Sequence, residues 1–285
     1  MKDNPLNEIR NKQKASWNAF SSGWRKWRTQ LNQHMQPATD GIIHLLNPVG
    51  EQIILDIASG TGEPGFSISS FIPHGRVVMT DLSEEMLNIA REYALLKNNT
   101  RLTFKNCDVC ALPFADNRFD SISCRMGFMF FPDMQIAANE MMRVLKPGGK
   151  LATSVWSTPD KNQWVTDLGD VIKTRLQMPD PKPGAPGIFR CCQPELMTQI
   201  LQKAGLQHAS VKEVDTSLEY KSAETYWEMM TEIAAPVTAA LRETDDQMYK
   251  LIKQEVINLV NSKYPGDKKV MKGSILLVYG EKPFA

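Results

Sequence analysis

The chain lacks the features that mark membrane, secreted and nucleic-acid-binding proteins. No apolar run approaches the ~20 residues that a transmembrane helix requires, and the polar first residues contain no apolar core of a signal peptide. The formal net charge is only +1, so no basic excess is available for a polyanion. We therefore expect a cytoplasmic protein that neither spans a membrane nor binds nucleic acid.

Cysteine and histidine are also scarce. The five cysteines are an odd number and fit reduced thiols better than a disulfide framework. Cys107 and Cys110 have a C-x-x-C spacing, but none of the four histidines is near them, and a closed zinc site needs four ligands. We expect no metal site. With 285 residues, 42% hydrophobic and 23% charged, the chain has room for one large α/β domain and an appended cap.

The most informative motif is a glycine-rich turn that follows an apolar run ending in Asp56. Gly60 and Gly62 permit backbone angles that a β-carbon would forbid, and they let a ligand approach the main chain closely. A second apolar run, residues 77–80, ends in Asp81. This pattern is typical of a βαβ unit that binds an adenosine-containing ligand, with Asp81 accepting hydrogen bonds from the ribose hydroxyls.

Two cofactors are compatible with this turn. Read from Gly60, it satisfies the G-x-G-x-x-G pattern of dinucleotide-binding proteins, which would make the chain an NAD(P)-dependent oxidoreductase. Asp56 argues against a dinucleotide, because a carboxylate beside the turn would repel a pyrophosphate. The same carboxylate would attract the ammonium and sulfonium groups of S-adenosylmethionine. Electrostatics therefore favours S-adenosylmethionine.

Alternating strand and helix patterns over residues 51–157 predict a Rossmann-like α/β fold with a doubly wound, mostly parallel sheet. Outside this region we predict five further segments: amphipathic helix over residues 6–48, a proline-rich loop over 178–187, a helix over 194–204, a strand over 209–218 and a long methionine-rich helical stretch over 222–261. A final strand is predicted over residues 274–279. We divide the chain into an N-terminal helical cap or lid (1–50), a cofactor-binding βαβ core (51–160), and a C-terminal part (161–285) with a helical insertion at about 222–262.

Four separated motifs resemble those of the class I S-adenosylmethionine-dependent methyltransferases, in particular the group around the ubiquinone- and menaquinone-biosynthesis methyltransferases. The motifs are the glycine turn, Asp81-Leu82-Ser83 with Met86, Asn106–Val109 with Leu112-Pro113-Phe114, and Arg143–Gly149. The resemblance implies a seven-stranded sheet whose last strand, 274–279, runs antiparallel and inserts beside the strand at 209–218.

The resemblance also implies which residues contact S-adenosylmethionine. Asp108 would accept the adenine amino group, the backbone N–H of Val109 would donate to a ring nitrogen, and Arg125 would face the methionine end. Ala58 stands where the family has its first glycine. The full set of expected cofactor contacts is Asp56, Ala58, Ser59, Gly60, Thr61, Gly62, Asp81, Leu82, Met86, Cys107, Asp108, Val109 and Arg125.

Aromatic and methionine residues have two interpretations. Those of the N-terminal region, Trp17, Phe20, Trp24 and Trp27, either form the buried face of a helix or close as a lid over cofactor and substrate. For the methionine-rich segment we hypothesise that Trp227 and Met230 roof an apolar acceptor pocket, although methionine more commonly fills core gaps.

The segment after the fourth strand, Cys124–Phe131, bears on the methyl acceptor. It lacks the Asp/Asn-Pro-Pro-aromatic motif of enzymes that methylate nucleic-acid amines. It also lacks the Arg-Asn pair that quinone-ring methylases carry at the positions of Met129 and Phe130. The resemblance therefore implies in-line methyl transfer to a small, apolar or aromatic metabolite.

No catalytic residue is identified from the sequence. His34, His208, Tyr220 and Glu63 are conceivable general bases, but alignment contributes more to a displacement of this kind than a base does. Two alternatives stay open: the NAD(P)-dependent oxidoreductase, and a protein with the methyltransferase fold that binds the cofactor or a partner without transferring a methyl group.

Overall fold

Seven strands form one sheet in the computed structural model, which describes residues 5–234 and 238–284. The strands are β1 (Ile53–Ile57), β2 (Arg76–Asp81), β3 (Leu102–Asn106), β4 (Phe119–Arg125), β5 (Leu145–Trp156), β6 (Gln207–Tyr220) and β7 (Lys269–Glu281). Their order across the sheet is β3-β2-β1-β4-β5-β7-β6. Strands β1 to β5 pair in parallel, and β7 pairs antiparallel with both β5 and β6. The predicted Rossmann-like sheet and the insertion of its last strand are confirmed.

Ten α-helices flank the sheet or form its cap among the described residues. They are α1 (Pro5–Lys26), α2 (Arg28–His34), α3 (Gln36–Leu46), α4 (Gly65–Ser69), α5 (Glu84–Leu96), α6 (Met134–Val144), α7 (Gln163–Arg175), α8 (Pro194–Lys203), α9 (Ala223–Ile233) and α10 (Asp246–Lys263). Short 3₁₀ turns cover Val109–Ala111, Phe128–Phe130, Pro159–Lys161 and Ala239–Glu243. None of the helices in the described ranges is long and apolar enough to cross a membrane.

Local chemistry sets several helix starts. Side-chain oxygens of Ser83, Asp133, Ser222 and Asp245 each accept a hydrogen bond from the backbone N–H three residues further on, at the starts of α5, α6, α9 and α10. The middle of the sheet is buried on both faces, as expected for parallel strands covered by helices. The carboxyl ends of β1, β2 and β4 consequently lie at a single edge, beneath the N-terminal helices.

The N-terminal region is not the continuous helix predicted over residues 6–48. It bends at Trp27 and again at Met35, where the backbone leaves the helical range. Both side chains are buried in the main core, so the chain turns to bring them onto the sheet. Pro37, which has no N–H to donate, stands in the first turn of α3, a position where this loss costs nothing.

The methionine-rich segment also differs from the prediction. Instead of one long helix it forms α9, a 3₁₀ turn and α10, and residues 235–237 lie outside the described part. Its apolar spacing continues across the break, but the capping carboxylate of Asp245 fixes a new helix start. Helix α7 was not predicted at all, although Val165, Leu168 and Ile172 bury one face at spacings of three and four.

Candidate functional site

A cleft opens at the edge where β1, β2 and β4 end, and the cap forms its far wall. From the sheet side it is lined by Ile57, Ala58, Ser59, Gly60, Thr61, Glu63, Thr80, Asp81, Leu82, Met86, Cys107, Asp108, Val109, Arg125, Met126 and Gly127. From the cap and the segment after β4 it is lined by Gln13, Trp17, Trp24, Met35, Phe130, Phe131 and Pro132. Ligands of open α/β sheets bind at this edge.

Two positions of the glycine turn, Gly60 and Gly62, require glycine for different structural reasons. Gly60 has φ +51°, and a β-carbon there would project into open space. Gly62 has φ +123°, and its β-carbon would lie 2.2 Å from Cε2 of Phe66. Ala58 also has a left-handed backbone, with φ +52°, a conformation that favours glycine. The turn therefore keeps space for a ligand at Gly60 and close internal packing at Gly62.

Asp81 is held between two backbone amides at the mouth of the cleft. Its Oδ2 accepts from the N–H of Gly60 at 2.9 Å, and its Oδ1 accepts from the N–H of Ser83 at 2.8 Å. Desolvation raises the pKa of Asp81 to about 6, against the lowering effect of these bonds. Each carboxylate oxygen retains a lone pair. The arrangement can accept hydrogen bonds from a pair of vicinal hydroxyls.

Asp56 does not line the cleft, contrary to the electrostatic argument made from the sequence. Its side chain is fully buried below the turn, where Oδ2 accepts from the N–H of Gly65 at 3.1 Å and Oδ1 from the hydroxyl of Ser123 at 2.6 Å. Burial raises the pKa of Asp56 to about 7. Asp56 fixes the start of α4 and supports the turn from beneath. Gly62 likewise lies outside the cleft wall.

Arg125 places a buried cation at the opposite end of the polar wall. Its side chain is 8% exposed and donates to neutral oxygens, from Nη1 to Thr39 Oγ1 at 3.0 Å and from Nη2 to Asn32 Oδ1 at 3.5 Å. Burial lowers the pKa of Arg125 to about 10, so the guanidinium stays charged at neutral pH. No carboxylate of the described residues lies within ion-pair distance of it. The negative charges of Glu63 and Asp56 act on Arg125 from beyond contact distance and raise its pKa, and its guanidinium keeps a positive charge for an anionic ligand group.

The third polar subsite is at the end of β3. Asp108 Oδ1 accepts from the N–H of Cys110 at 2.9 Å, and Asp108 Oδ2 lies 3.3 Å from Nη1 of Arg10. The backbone N–H of Val109 has no acceptor within residues 5–234 and 238–284. Leu82 and Met86 add apolar surface beside it. An acid, a free backbone donor and a flat apolar wall suit a heteroaromatic ring that carries an amino group.

Cys107 lines the cleft as a neutral thiol, since burial raises its pKa to about 11. All five cysteines are unpaired. Over the described ranges no three histidine, cysteine or acidic side chains are grouped as metal ligands would be.

The remaining wall of the cleft is apolar and rich in rings. Trp17 stands edge-on to Phe130 with centroids 5.1 Å apart, and edge-on to Trp24 at 5.9 Å. Trp24 anchors its indole N–H on the carbonyl of Ile233 at 3.2 Å. Met35, Met126, Phe131 and Pro132 complete this wall. Phe20 and Trp27 are buried in the core instead. The cap thus divides its aromatic residues between the core and the cleft.

Trp227 and Met230 are not part of this wall, and the expected roof is not formed by them. Trp227 is 2% exposed and packs edge-on against Tyr249, with centroids 5.5 Å apart. Met230 is fully buried, with its sulfur 3.7 Å from the hydroxyl of Tyr220. Helix α9 packs against α1, which itself forms the wall of the cleft. The methionine-rich segment therefore supports the cap from behind.

Of the four candidate bases, Glu63 alone lines the cleft. His34 is buried between Trp156 and Trp164, and burial lowers its pKa to about 4. Tyr220 is buried, and its pKa is raised well above the ordinary value. His208 lies at the exposed start of β6.

Several residues of the cleft were missed in the sequence, and most of them follow β4: Met126, Gly127, Phe130, Phe131 and Pro132. Gln13 of α1 lies four residues before Trp17 and eleven before Trp24 and so continues their helix face, which was readable once α1 was known to cover the cleft. Met35 and Pro132 carry no local signal of this kind.

Comparison with known proteins agrees with this geometry. A family model described as a methyltransferase domain matches residues 54–149. The demethylmenaquinone methyltransferase of Bacteroides fragilis is 37% identical over 120 residues, which are 42% of this chain and 49% of that protein. The ubiquinone/menaquinone biosynthesis C-methyltransferase of Cellvibrio japonicus is 35% identical over 125 residues, 43% of this chain and 50% of that protein. The chain thus spans about half the length of the curated relatives it matches.

Among solved structures, the YcgJ protein from Bacillus subtilis superposes with a TM-score of 0.58 at 18% identity, covering 88% of this chain and all of that one. At this identity the likeness shows the fold alone. Together, the family model and the sequence relatives show that residues 54–149 match a methyltransferase domain and that the chain resembles the class I S-adenosylmethionine-dependent methyltransferases, the ubiquinone- and menaquinone-biosynthesis group in particular.

Proposed function

We propose that the chain is an S-adenosylmethionine-dependent methyltransferase that acts on a small apolar or aromatic metabolite. One observation carries the proposal: the cleft joins a diol acceptor at Asp81, a subsite at Asp108 and Val109 that suits an aminopurine, and a buried cation at Arg125 that no described carboxylate contacts. These three groups match the ribose, the adenine and the carboxylate of S-adenosylmethionine.

The residues present fit this cofactor. The carboxylate of Asp81 would accept from both ribose hydroxyls, and the free N–H of Val109 would donate to the adenine ring. Open space at Gly60 lets the ligand lie against the turn. Arg125 would pair with the methionine carboxylate, and Glu63 lines the same end of the cleft, where it can take the ammonium group. We retain Ala58, Ser59, Thr61, Leu82, Met86 and Cys107 as proposed contacts and assign Asp56 and Gly62 supporting roles.

When bound, the cofactor's sulfonium supplies an electrophilic methyl group for in-line displacement by the acceptor. The chain contributes alignment: Asp81 and Arg125 hold the two ends of the cofactor, so that its methyl group points in a fixed direction. Orientation of this kind can contribute ~7–11 kcal/mol to lowering a barrier. The ring-lined wall of Trp17, Trp24 and Phe130 would exclude water from the reacting atoms.

The acceptor is proposed from the chemistry of the cap-side wall. Edge-to-face rings and flexible methionines suit an aromatic or otherwise apolar molecule. The relatives from Bacteroides and Cellvibrio are named for quinone methylation, but Met129 and Phe130 stand where such enzymes carry an Arg-Asn pair. We therefore propose an aromatic acceptor other than their quinone precursor.

The proposal also includes the location of the protein and the class of its partner. The unpaired cysteines support a cytoplasmic location, and the near-zero net charge supports a small-molecule rather than a nucleic-acid partner. We also propose that the three parts defined from the sequence act together, with residues 1–50 as the cap, 51–160 as the cofactor-binding core and 161–285 as the support behind the cap.

Titration calorimetry of the purified protein with S-adenosylhomocysteine, S-adenosylmethionine and NADH tests the proposal. We expect both sulfur ligands to bind and Asp81→Ala to weaken their binding by about 100-fold or more, because two hydrogen bonds to a charged group are lost. Asp180→Ala, which changes an exposed carboxylate outside the cleft, is the matched control and should bind as the wild type does. Binding of NADH alone would overturn the proposal in favour of a dinucleotide site.

A further inference from the structure

Exposed apolar side chains gather at the edge of the sheet where the first three strands begin. Of the nine large apolar side chains that are exposed in the described part of the chain, four lie here: Val49 before β1, Phe71 before β2, and Leu95 and Leu96 before β3. They are 56%, 50%, 77% and 78% exposed. Because β1, β2 and β3 run parallel, this amino edge is opposite the edge at which the cleft opens. We call these four side chains the amino-edge patch.

Hydrogen bonds join the three segments that carry the patch. The side-chain amide of Asn99, just after α5, donates to the hydroxyl of Ser69, at the end of α4, at 2.8 Å. The N–H of His74, before β2, donates to the carbonyl of Gly50, before β1, at 3.3 Å. The patch is therefore built on adjoining parts of the surface. The three segments are residues 47–52, 70–76 and 95–101.

The same three segments have an excess of positive charge. They contain Arg76, Lys97 and Arg101, and their one acidic residue is Glu51. Arg76 and Lys97 are exposed, and Arg101 is half-buried. No carboxylate of the described residues lies within ion-pair distance of these three cations. The net charge of +1 for the whole chain therefore conceals a local positive region around the patch.

Apolar side chains beside unpaired cations fit a partner surface that is both apolar and anionic. An anionic lipid bilayer is such a surface, since its phosphate groups lie directly above its hydrocarbon. A second copy of this chain fits less well, because a two-fold contact through the patch would bring the same cations together. Single-stranded nucleic acid also fits less well, because three of the four side chains are aliphatic and cannot stack on bases.

We propose that the amino-edge patch docks on the surface of an anionic lipid bilayer. The apolar side chains of the patch enter the boundary between headgroups and acyl chains, and Arg76 and Lys97 lie at the phosphates. The cleft then faces away from the bilayer, because Asp81 and Arg125 end their strands at the opposite edge of the sheet. This inference does not depend on the proposed function.

The size of the effect follows from the two contributions. Each cation near an anionic surface contributes about 5-fold in affinity, so Lys97→Ala should weaken vesicle binding by about that factor. Leu95→Ala/Leu96→Ala removes more apolar surface and should weaken it at least about 10-fold. Helix α10 offers matched controls in Lys250 and Leu251, an adjacent lysine and leucine that are also exposed but lie outside the three segments. Their alanine variants should bind as the wild type does.

Co-sedimentation of the full chain with vesicles tests the proposal. The wild type should bind vesicles of phosphatidylglycerol and phosphatidylcholine in equal parts, bind pure phosphatidylcholine much less, and be released by added salt. No binding to the anionic vesicles, or equal binding to both kinds, would overturn the proposal. So would wild-type binding by Leu95→Ala/Leu96→Ala, or equal losses in the α10 controls. Binding to heparin without binding to vesicles would assign the cations to a soluble polyanion and overturn it as well.

Discussion

The two walls of the cleft are built on different principles. On the sheet side, the carboxylates are fixed by amides only two residues away, as in Asp81 to Ser83 and Asp108 to Cys110. On the cap side, the rings are fixed by partners more than a hundred residues distant, as in Trp17 to Phe130 and Trp24 to Ile233. The two carboxylates of the first wall are thus held by local chain geometry, whereas the rings of the second wall are held by tertiary packing.

This difference suggests a division of labour. Side chains that are held by their neighbours in sequence keep their geometry when remote parts of the chain change. This suits the binding of a cofactor that is the same in every reaction. A wall assembled from distant segments can be reshaped by substitutions in any of them, which suits an acceptor that varies between related enzymes. Changes on the two sides should therefore have separable effects on cofactor affinity and on turnover.

We expect the largest difference in effect between Trp17, which lies in the cap, and Trp227, which lies in the segment that supports the cap. Trp227→Ala should lower the free energy of unfolding by about 3–5 kcal/mol, because it empties a fully buried site. Trp17→Ala should cost much less stability and should abolish most acceptor turnover, because it removes the ring that contacts Phe130 in the cleft. Urea unfolding measures the two stabilities, and methyl transfer from S-adenosylmethionine to aromatic acceptors by the folded proteins measures turnover.

Trp227→Phe is the control for loss of the fold, because it removes less volume from the buried site than Trp227→Ala does. It should bind S-adenosylhomocysteine as the wild type does. Weaker binding at unchanged stability would place Trp227 in the cleft and remove the distinction drawn between the cap wall and its support.

Within the sheet-side wall, the two glycines of the turn should separate stability from binding. Gly62→Ala is expected to cost about 2–5 kcal/mol of unfolding free energy, because strain at φ +123° adds to a clash with Phe66. Gly60→Ala should cost about 1–2 kcal/mol, since only backbone strain is introduced. Its methyl group, however, projects into the space left for the ligand, so affinity for S-adenosylhomocysteine should fall at least about 10-fold.

Thermal unfolding with and without the ligand distinguishes these two outcomes. A Gly60→Ala protein that binds normally would mean that the ligand does not lie against the turn.

The smallest effect concerns the buried acid beneath the turn. Burial raises the pKa of Asp56 to about 7, above the ordinary value of 3.8, so the folded state retains a proton that the unfolded chain releases. Stability from this group is therefore lost as pH rises from about 4 towards 7, with a slope of at most about 1.4 kcal/mol per pH unit. Asp56→Asn should remove this contribution.

Unfolding of the wild type and of Asp56→Asn should be compared between pH 6 and 7. Below pH 6 Asp81 also titrates in the same sense, and His34, whose pKa is lowered to about 4, contributes in the opposite sense. The difference between the two proteins cancels both. Parallel curves would show that Asp56 stays ionised beneath the turn.

The sheet-side wall was largely predictable because its signals are local. Asp81 ends β2, Gly60 and Asp108 follow β1 and β3 within three residues, and parallel strands bring their carboxyl ends to one edge. Asp56 was assigned to the cleft because its sequence position is adjacent to the turn. Its side chain, however, points away from the cleft, and its carboxylate lies under the turn, where it accepts hydrogen bonds from Gly65 and Ser123.

The cap-side wall was only partly predictable. The helical spacing of the aromatic residues placed Trp17 and Trp24 on one face of a helix. The spacing alone does not show whether that face packs on the core or lines the cleft. For the same reason Trp227 and Met230 appeared equally suited to a roof and to a core. The breaks at Trp27 and Met35 arise from packing against the sheet, which no local pattern encodes. Long-range contacts decided each of these cases.

The position of β7 has a consequence for the order of assembly during synthesis. Strand β7 lies between β5 and β6, so β6 has no neighbour on the sheet until residues 269–281 leave the ribosome. Strands β1 to β5, whose ends position Asp81, Asp108 and Arg125, are made before β6 and β7 and pair with one another. A nascent chain could therefore hold its cofactor-binding edge in place before β6, β7 and the support behind the cap have formed.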